Sequence, residues 1–259
     1  MHSFLDHDGP VPIVHRGAPL GDEGASVENT MAAFDRAYAQ GFRYFETDVH
    51  ATSDGVAVAC HDPSLKRVAG HRTRIADVEW SDLNKLSVGG APLPALIELL
   101  EAFPDVKFNI DPKSDAVVRP LVAIVRSSGQ LDRVCIASFS DRRLRWIRAA
   151  LGNRACTAAG PRELRRAVAQ GVRSRPLDLP GVNVLQIPRP LAAQLTAGRA
   201  GHLDLLAAAQ RVDLPVHVWT VNDEVEIDRL LKRGVDGVMS DHLGALQRAF
   251  ARHGWQPAS

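Results

Sequence analysis

Val11-Pro12-Ile13-Val14-His15-Arg16-Gly17 is an apolar run of strand length that ends in an imidazole, a guanidinium and a glycine. A strand that turns polar at its last residues suits a barrel strand, whose C-terminal end opens into the mouth where chemistry sits. Three further pieces follow: Glu28-Asn29-Thr30, Glu46-Thr47-Asp48 and His61-Asp62. Two histidines, an arginine and two carboxylates, each at the end of an apolar run, have the composition of a metal-assisted phosphoryl site.

Outward from this stretch, β-type runs alternate with amphipathic helical patterns. Strands are expected over 11–17, 44–50, 106–113, 134–139, 155–159, 182–187, 216–221 and 237–240, with a second extended run at 56–61. Helices are expected over 27–40, 96–103, 116–127, 141–151, 162–170, 203–211, 225–232 and 243–252. The first of them places Met31, Phe34 and Tyr38 on one face and stops at Gly41. Residues 62–94 break the rhythm, being polar, partly basic (Lys66, Arg67, Arg72, Arg74) and helical only briefly at 80–86. They read as an insertion on one face, and residues 255–259 read as a tail. Eight strand–helix units predict an α/β chain, a single (β/α)8 TIM barrel over 1–259 with a small insertion after strand 2. The alternative is an open doubly wound sheet, but no Gly-x-Gly-x-x-Gly follows the first strand.

The 31 basic and 30 acidic residues leave a net charge of +1, which gives no support for a nucleic-acid partner. The longest apolar runs fall far short of the ~20 residues a membrane span needs. The first eight residues lack the basic and apolar regions of a secretory signal. Cys60, Cys135 and Cys156 are odd in number, widely spaced and set in apolar runs, so buried free thiols are expected. A cytoplasmic protein without stable membrane insertion is the economical expectation, and a homo-oligomer is compatible with it.

Residues two apart in a strand share a face, so Glu46 and Asp48 project together, as do Asn109, Asp111 and Lys113. Phe108 and Ile110 then face the helices. Three carboxylates at one mouth repel each other unless a cation intervenes, and oxygen ligands select Mg²⁺ or Ca²⁺. Simple pairing of the acids with Arg16 and Lys113 is the other reading, and both stay open. His15 and His61 suit proton transfer on opposite sides of a phosphorus. Arg16 offers a phosphate two parallel hydrogen bonds, and Lys113 adds a positive charge. Gly17 serves either close ligand approach or a plain turn. A structural role is expected for His50, His71, His202, His217, His242 and His253.

His15-Arg16-Gly17, Glu28-Asn29-Thr30, Glu46-Thr47-Asp48, His61-Asp62 and Asp111-x-Lys113 together resemble the signature set of the glycerophosphodiester phosphodiesterases. Trp219-Thr220-Val221-Asn222 resembles that family's strand 7 and residues 234–241 its strand 8, so the likeness runs from Val11 to about Leu246. The resemblance implies hydrolysis of glycerophosphodiesters, such as glycerophosphocholine or glycerophosphoethanolamine, to glycerol 3-phosphate and an alcohol, in glycerophospholipid metabolism. It implies acid/base roles for His15 and His61, and one Mg or Ca ion on Glu46, Asp48 and Asp111. It also implies phosphate binding by Arg16 and Lys113 and packing of Trp219 against the glycerol carbons. The substrate's neighbouring hydroxyl would attack phosphorus, giving a cyclic phosphate that water opens. Gln186 is expected on the leaving-group side, and Asn29 either touches substrate or orients its corner.

Two departures from the family pattern stand out: Asp111 where Glu is usual, and Val27 where Pro is common before Glu-Asn-Thr. The rival enzyme reading is a lysophospholipase D or sphingomyelinase D-like activity on lysolipids. The non-enzyme rival is a barrel that binds phosphorylated metabolites without turnover. Lipid hydrolysis calls for an apolar rim, and the loops 18–26 and 173–181 are mainly polar, which favours a water-soluble diester.

Overall fold

Eight short apolar runs pair side by side in parallel: β1 (Val11–His15), β2 (Tyr44–Ala51), β3 (Lys107–Pro112), β4 (Val134–Ile136), β5 (Cys156–Thr157), β6 (Leu185–Pro188), β7 (Val216–Trp219) and β8 (Gly237–Ser240). The structure, a computed structural model, describes residues 2–21, 24–25, 28–127, 129–172, 176–195 and 205–258. Parts of the expected loops 18–26 and 173–181, and the starts of the expected helices at 27 and 203, lie outside the described residues.

The strands run in the order β5-β4-β3-β2-β1-β8-β7-β6. A parallel bridge between Ala158 and Val184 joins the two ends, so the described strands form a (β/α)8 ring. Buried on both faces, β2 has the burial of a parallel strand covered by helices. Helices Met31–Ala39, Leu96–Ala102, Val118–Ser127, Asp141–Leu151, Pro161–Val172, Glu224–Lys232 and Leu243–Ala251 follow within a few residues of the sequence expectation. Thr30, Ser140 and Asp223 cap three of them by accepting a backbone N–H in the first turn.

The differences from expectation are local. Strand 5 shrinks from 155–159 to Cys156–Thr157, because Ala158 contributes only the closing bridge. Strand 6 starts at Leu185, not 182; before it, the Asn183 side chain accepts the Thr157 N–H at 2.9 Å. A helix at Arg189–Leu195 was not expected. Pro188 and Pro190 read as breakers, but Pro190 sits in the first helical turn, where no N–H is required. Residues 255–258 are no free tail. Trp255 stacks on Phe42 at 5.0 Å, and the Ala258 N–H donates to Gly41 O at 3.1 Å.

The insertion is less polar inside than its sequence suggests. Strand Ala57–Ala59 folds back antiparallel on β2, and the segment beyond it holds helices Lys66–Ala69 and Trp80–Leu83. Leu65, Ile75, Leu83, Val88 and Leu93 bury together with Val58 and Cys60 in a core of their own. At the opposite end of the barrel, Phe4 and Leu5 pack beneath Cys135 and Cys156. All three cysteines are free and buried. Among the described residues no helix is long and apolar enough to cross a membrane.

Along β1 the interior face is apolar low down, with Val11 and Ile13 packed on Met239, and becomes polar at His15. One polar residue lies deep in this floor. His217 is fully buried beside Gly237, where a Cβ would come within 2.7 Å of the ring. Neither ring nitrogen has a hydrogen-bond partner among the described residues. Burial, with a small contribution from His7, pushes its pKa down to about 3. Below about pH 6.5 the unfolded chain therefore takes up a proton that the folded protein refuses. Stability is full above that pH and falls as pH drops towards 3. From pH 7 to pH 5 this one group is expected to remove about 2 kcal/mol. In denaturant titrations at both pH values, His217→Met should lose about that much less than the parent protein. Equal losses would exclude the buried neutral histidine as the cause.

Candidate active site at the mouth of the barrel

Strand register assembles the site. His15 lies opposite Glu46, Glu46 opposite Asn109, and Asp48 opposite Asp111. With a side-chain period of two, His15, Glu46 and Asn109 form one interior layer, and Asp48 and Asp111 the layer nearer the mouth. Lys113 continues this face just past β3, its N–H donating to Val49 O at 2.9 Å.

After β1 the chain turns through three residues with positive φ: Arg16 (52°), Gly17 (78°) and Ala18 (54°). Two of them are not glycine, so the turn stores backbone strain. It is held by Arg16 N–H to Glu46 O (3.0 Å), Asn29 N–H to Arg16 O (2.9 Å) and Ala18 N–H to His15 O (2.8 Å). A Cβ on Gly17 would fall 2.5 Å from the Ala33 Cβ. Gly17 therefore serves the turn and the close approach of helix Met31–Ala39.

Nine of the ten residues expected at the site line one cavity of about 280 Å³: His15, Arg16, Glu46, Asp48, His61, Asp111, Lys113, Trp219 and Gln186. The Gln186 amide nitrogen is engaged with Asn109 Oδ1 at 2.8 Å. Asn29 does not line the cavity. It is buried behind it, donating to Asp48 Oδ2 (3.4 Å) and accepting from Thr47 Oγ1 (2.8 Å), so it orients the corner.

The charges interlock. Arg16 Nε lies 2.7 Å from Asp48 Oδ2, and Lys113 Nζ lies 2.7 Å from both Asp48 Oδ1 and Asp111 Oδ2. The simple pairing foreseen for Asp48 is thus present, while among the described residues Glu46 has His15 alone as an ion-pair partner, at 3.6 Å. Burial alone would raise the Asp48 pKa, yet Lys113 and Arg16 hold it below the usual carboxylate value. For Asp111 burial outweighs Lys113, and the pKa is raised. Glu46 is pushed up to about 8 by burial and by Asp48. Burial works against the His15 imidazolium, but Glu46 and the hydrogen bond to Asp241 prevail and raise its pKa.

Among the described residues no three His, Cys, Asp or Glu side chains stand as a ready-made metal ligand set. Even so, Glu46 Oε2 and Asp111 Oδ1 are buried without a hydrogen-bond donor among the described residues. Buried polar atoms are seldom left so. Asp48 Oδ1, beside them, has the Lys113 ammonium at 2.7 Å. These two unpartnered oxygens, with Asp48 Oδ1 between Lys113 and the cavity, are a donor set that fits a hard divalent cation.

Residues 15–245 match the Glycerophosphoryl diester phosphodiesterase family. The chain belongs to this family. A probable glycerophosphodiester phosphodiesterase 2 of Mycobacterium tuberculosis is 33% identical over 270 residues, spanning 98% of this chain and 96% of its own. The fold is shared with a glycerophosphodiester phosphodiesterase from Agrobacterium tumefaciens str. C58, at a TM-score of 0.76 and 21% identity, covering 93% of this chain and 99% of that one. It is shared as well with an Oleispira antarctica phosphodiesterase solved with the product sn-glycerol-3-phosphate, at a TM-score of 0.73 and 22% identity, covering 93% and 97%.

In this phosphodiesterase chain the structure adds residues that the sequence did not single out. Asp241 Oδ1 lies 2.6 Å from His15 Nδ1, and Asn222 Nδ2 donates to Asp241 Oδ2 at 3.0 Å. The signal was available: a proton-transfer histidine needs a partner on its second nitrogen, and Asp241 ends the strand 8 motif. Asp62 holds His61 Nδ1 in the same way, at 2.7 Å. Phe139, past β4, was not legible. It is exposed, meets Trp219 edge-on at 5.5 Å, and begins an apolar wall continued by Pro161 and Leu164.

Proposed function

We propose that this mouth is where the chain, as a phosphoric diester hydrolase, cleaves glycerophosphodiesters to glycerol 3-phosphate and an alcohol. The observation that carries the proposal is the pair of unpartnered oxygens on Glu46 and Asp111, with Asp48 beside them, in the cavity that His15 and His61 also line. Glu46, Asp48 and Asp111 are the residues that would hold one Mg²⁺ or Ca²⁺. A cation bound there neutralises the acids and withdraws charge from the phosphate oxygens.

The protein's own groups supply the rest. Arg16 and Lys113 attract the phosphate and fix its orientation. His15, with Asp241 on Nδ1, and His61, with Asp62 on Nδ1, each keep Nε2 for taking or giving a proton. With base and acid on the two sides of phosphorus, attack by the substrate's neighbouring hydroxyl and departure of the alcohol are both served, and water then opens the cyclic phosphate to glycerol 3-phosphate with the two roles exchanged. Trp219 offers its face to the glycerol carbons, and Gln186 stands on the leaving-group side. We read the chain as one domain, in a reducing cytoplasmic setting that fits three free cysteines.

A second reading, hydrolysis of lysolipids, draws support from the apolar wall of Phe139, Pro161 and Leu164, which offers a chain no polar partner. A panel of glycerophosphocholine, glycerophosphoethanolamine and lysophosphatidylcholine, with the phosphorylated product identified by phosphorus NMR, separates the two. Glycerol 3-phosphate as the main product supports the first. Lysophosphatidic acid at a higher kcat/KM transfers the assignment to the second. No turnover of any of the three contradicts both.

A further inference from the structure

We propose that Arg67, from the insertion after β2, is a positioning residue that sets His61 and Arg16 at once. Arg67 lies on the short helix Lys66–Ala69, outside the cavity, and its guanidinium spans two carboxylates. Nε donates to Asp62 Oδ2 at 2.6 Å, while Nη1 and Nη2 donate to Glu28 Oε2 (3.0 Å) and Oε1 (2.6 Å). Asp62 passes this contact to His61 Nδ1 at 2.7 Å, and Glu28 Oε1 passes it to Arg16 Nη1 at 3.6 Å. A continuous chain, His61–Asp62–Arg67–Glu28–Arg16, therefore runs along the rim.

The need for such a brace follows from the placement of His61. Its ring is the more open of the two imidazoles, 35% exposed against 13% for His15. Among the described residues the ring has one partner, Asp62, and the Asp62 carboxylate has two, His61 and Arg67. Without Arg67 the Asp62 carboxylate is free to turn to solvent, and His61 loses what fixes its Nδ1–H tautomer. The planar fork matters as well as the charge, since three donors must reach two carboxylates in fixed directions.

The same contacts contribute little to folding. Arg67 is half exposed, and ion pairs of that kind stabilise weakly. The insertion keeps its own apolar core of Val58, Leu65, Ile75, Leu83 and Leu93 whether or not Arg67 is present.

This inference rests on the reading of His61 as a proton-transfer group, and the test keeps the two apart. Two glycerophosphodiesters are compared, one releasing an alkyl alcohol and one releasing nitrophenol, which needs no proton to depart. An acid and a base respond differently to that change, so His61→Ala and His15→Ala give different rate ratios for the pair. Arg67→Met is expected to lower kcat on the alkyl ester about tenfold or more, at an unchanged melting temperature. Its alkyl-to-nitrophenyl ratio should shift in the direction of His61→Ala and not of His15→Ala. Arg67→Lys should recover part of the loss. Arg67→Met should add little in an Asp62→Asn background, because both remove one link. An unchanged kcat, or equal losses on both esters while His61→Ala separates them, overturns the role of Arg67 alone. Wild-type rates on both esters in His61→Ala overturn the reading of His61, and the proposal with it.

Discussion

His15→Ala and His61→Ala are each expected to lower turnover by about 10²-fold or more, the usual scale for a positioned acid or base. His15 ends β1 with one nitrogen tied to Asp241 and the other facing Glu46 across 3.6 Å, inside the cavity. Its partners survive its removal: Asp241 keeps the Asn222 amide, and β1 keeps its pairing with β8. The loss in His15→Ala is therefore one of proton transfer, with little change in architecture. His61 is set by the Cys60 N–H donating to Asp48 O at 2.9 Å, a backbone contact that alanine preserves. Steady-state kcat for each variant, alongside its melting temperature, checks both expectations. A near-wild-type rate in a folded variant removes that histidine from the mechanism.

The parts of the fold that could be read in advance are those where one strand face changes chemistry along its length. In β1, β2 and β3 the period of two separates Phe45, Thr47, Phe108 and Ile110 from Glu46, Asp48, Asn109 and Asp111. Register then brings the polar set together. β5 was overestimated because an alanine-rich run has the hydrophobicity of a strand, while ladder pairing depends on neighbours that the sequence does not reveal. Arg189–Leu195 was missed because proline marks a break everywhere except in a first helical turn. Residues 255–258 looked loose because the Phe42 face that Trp255 covers lies more than two hundred positions away in the chain.

The candidate site was readable as a list of groups, less so as a network. Nothing in Glu-Asn-Thr distinguishes an asparagine that faces substrate from one that braces Asp48 from behind. Arg67 reads with Lys66, Arg72 and Arg74 as part of a polar, partly basic insertion, and the folded insertion turns it towards Glu28 and Asp62. Asp111 is the other instructive case. One methylene shorter than the family's usual glutamate, it lies level with Asp48 on the neighbouring strand, and no described residue donates to its Oδ1.

Removing divalent ions should abolish turnover, the largest effect foreseen for this protein. Three buried acids share two permanent cations, Arg16 and Lys113, and both of these already lean on Asp48. Glu46 is left with a pKa pushed up to about 8 by burial and by Asp48. It keeps its charge near neutral pH only with further positive charge beside it. The direct measurement is to strip the protein with chelator and titrate Mg²⁺ or Ca²⁺ back, reading heat and turnover in the same samples. One binding event, with turnover rising in step with occupancy and a weaker affinity in a fully folded Asp111→Ala variant, is the expected result. Full turnover in excess chelator, or the same ion affinity in Asp111→Ala, would contradict a cation held by Glu46, Asp48 and Asp111.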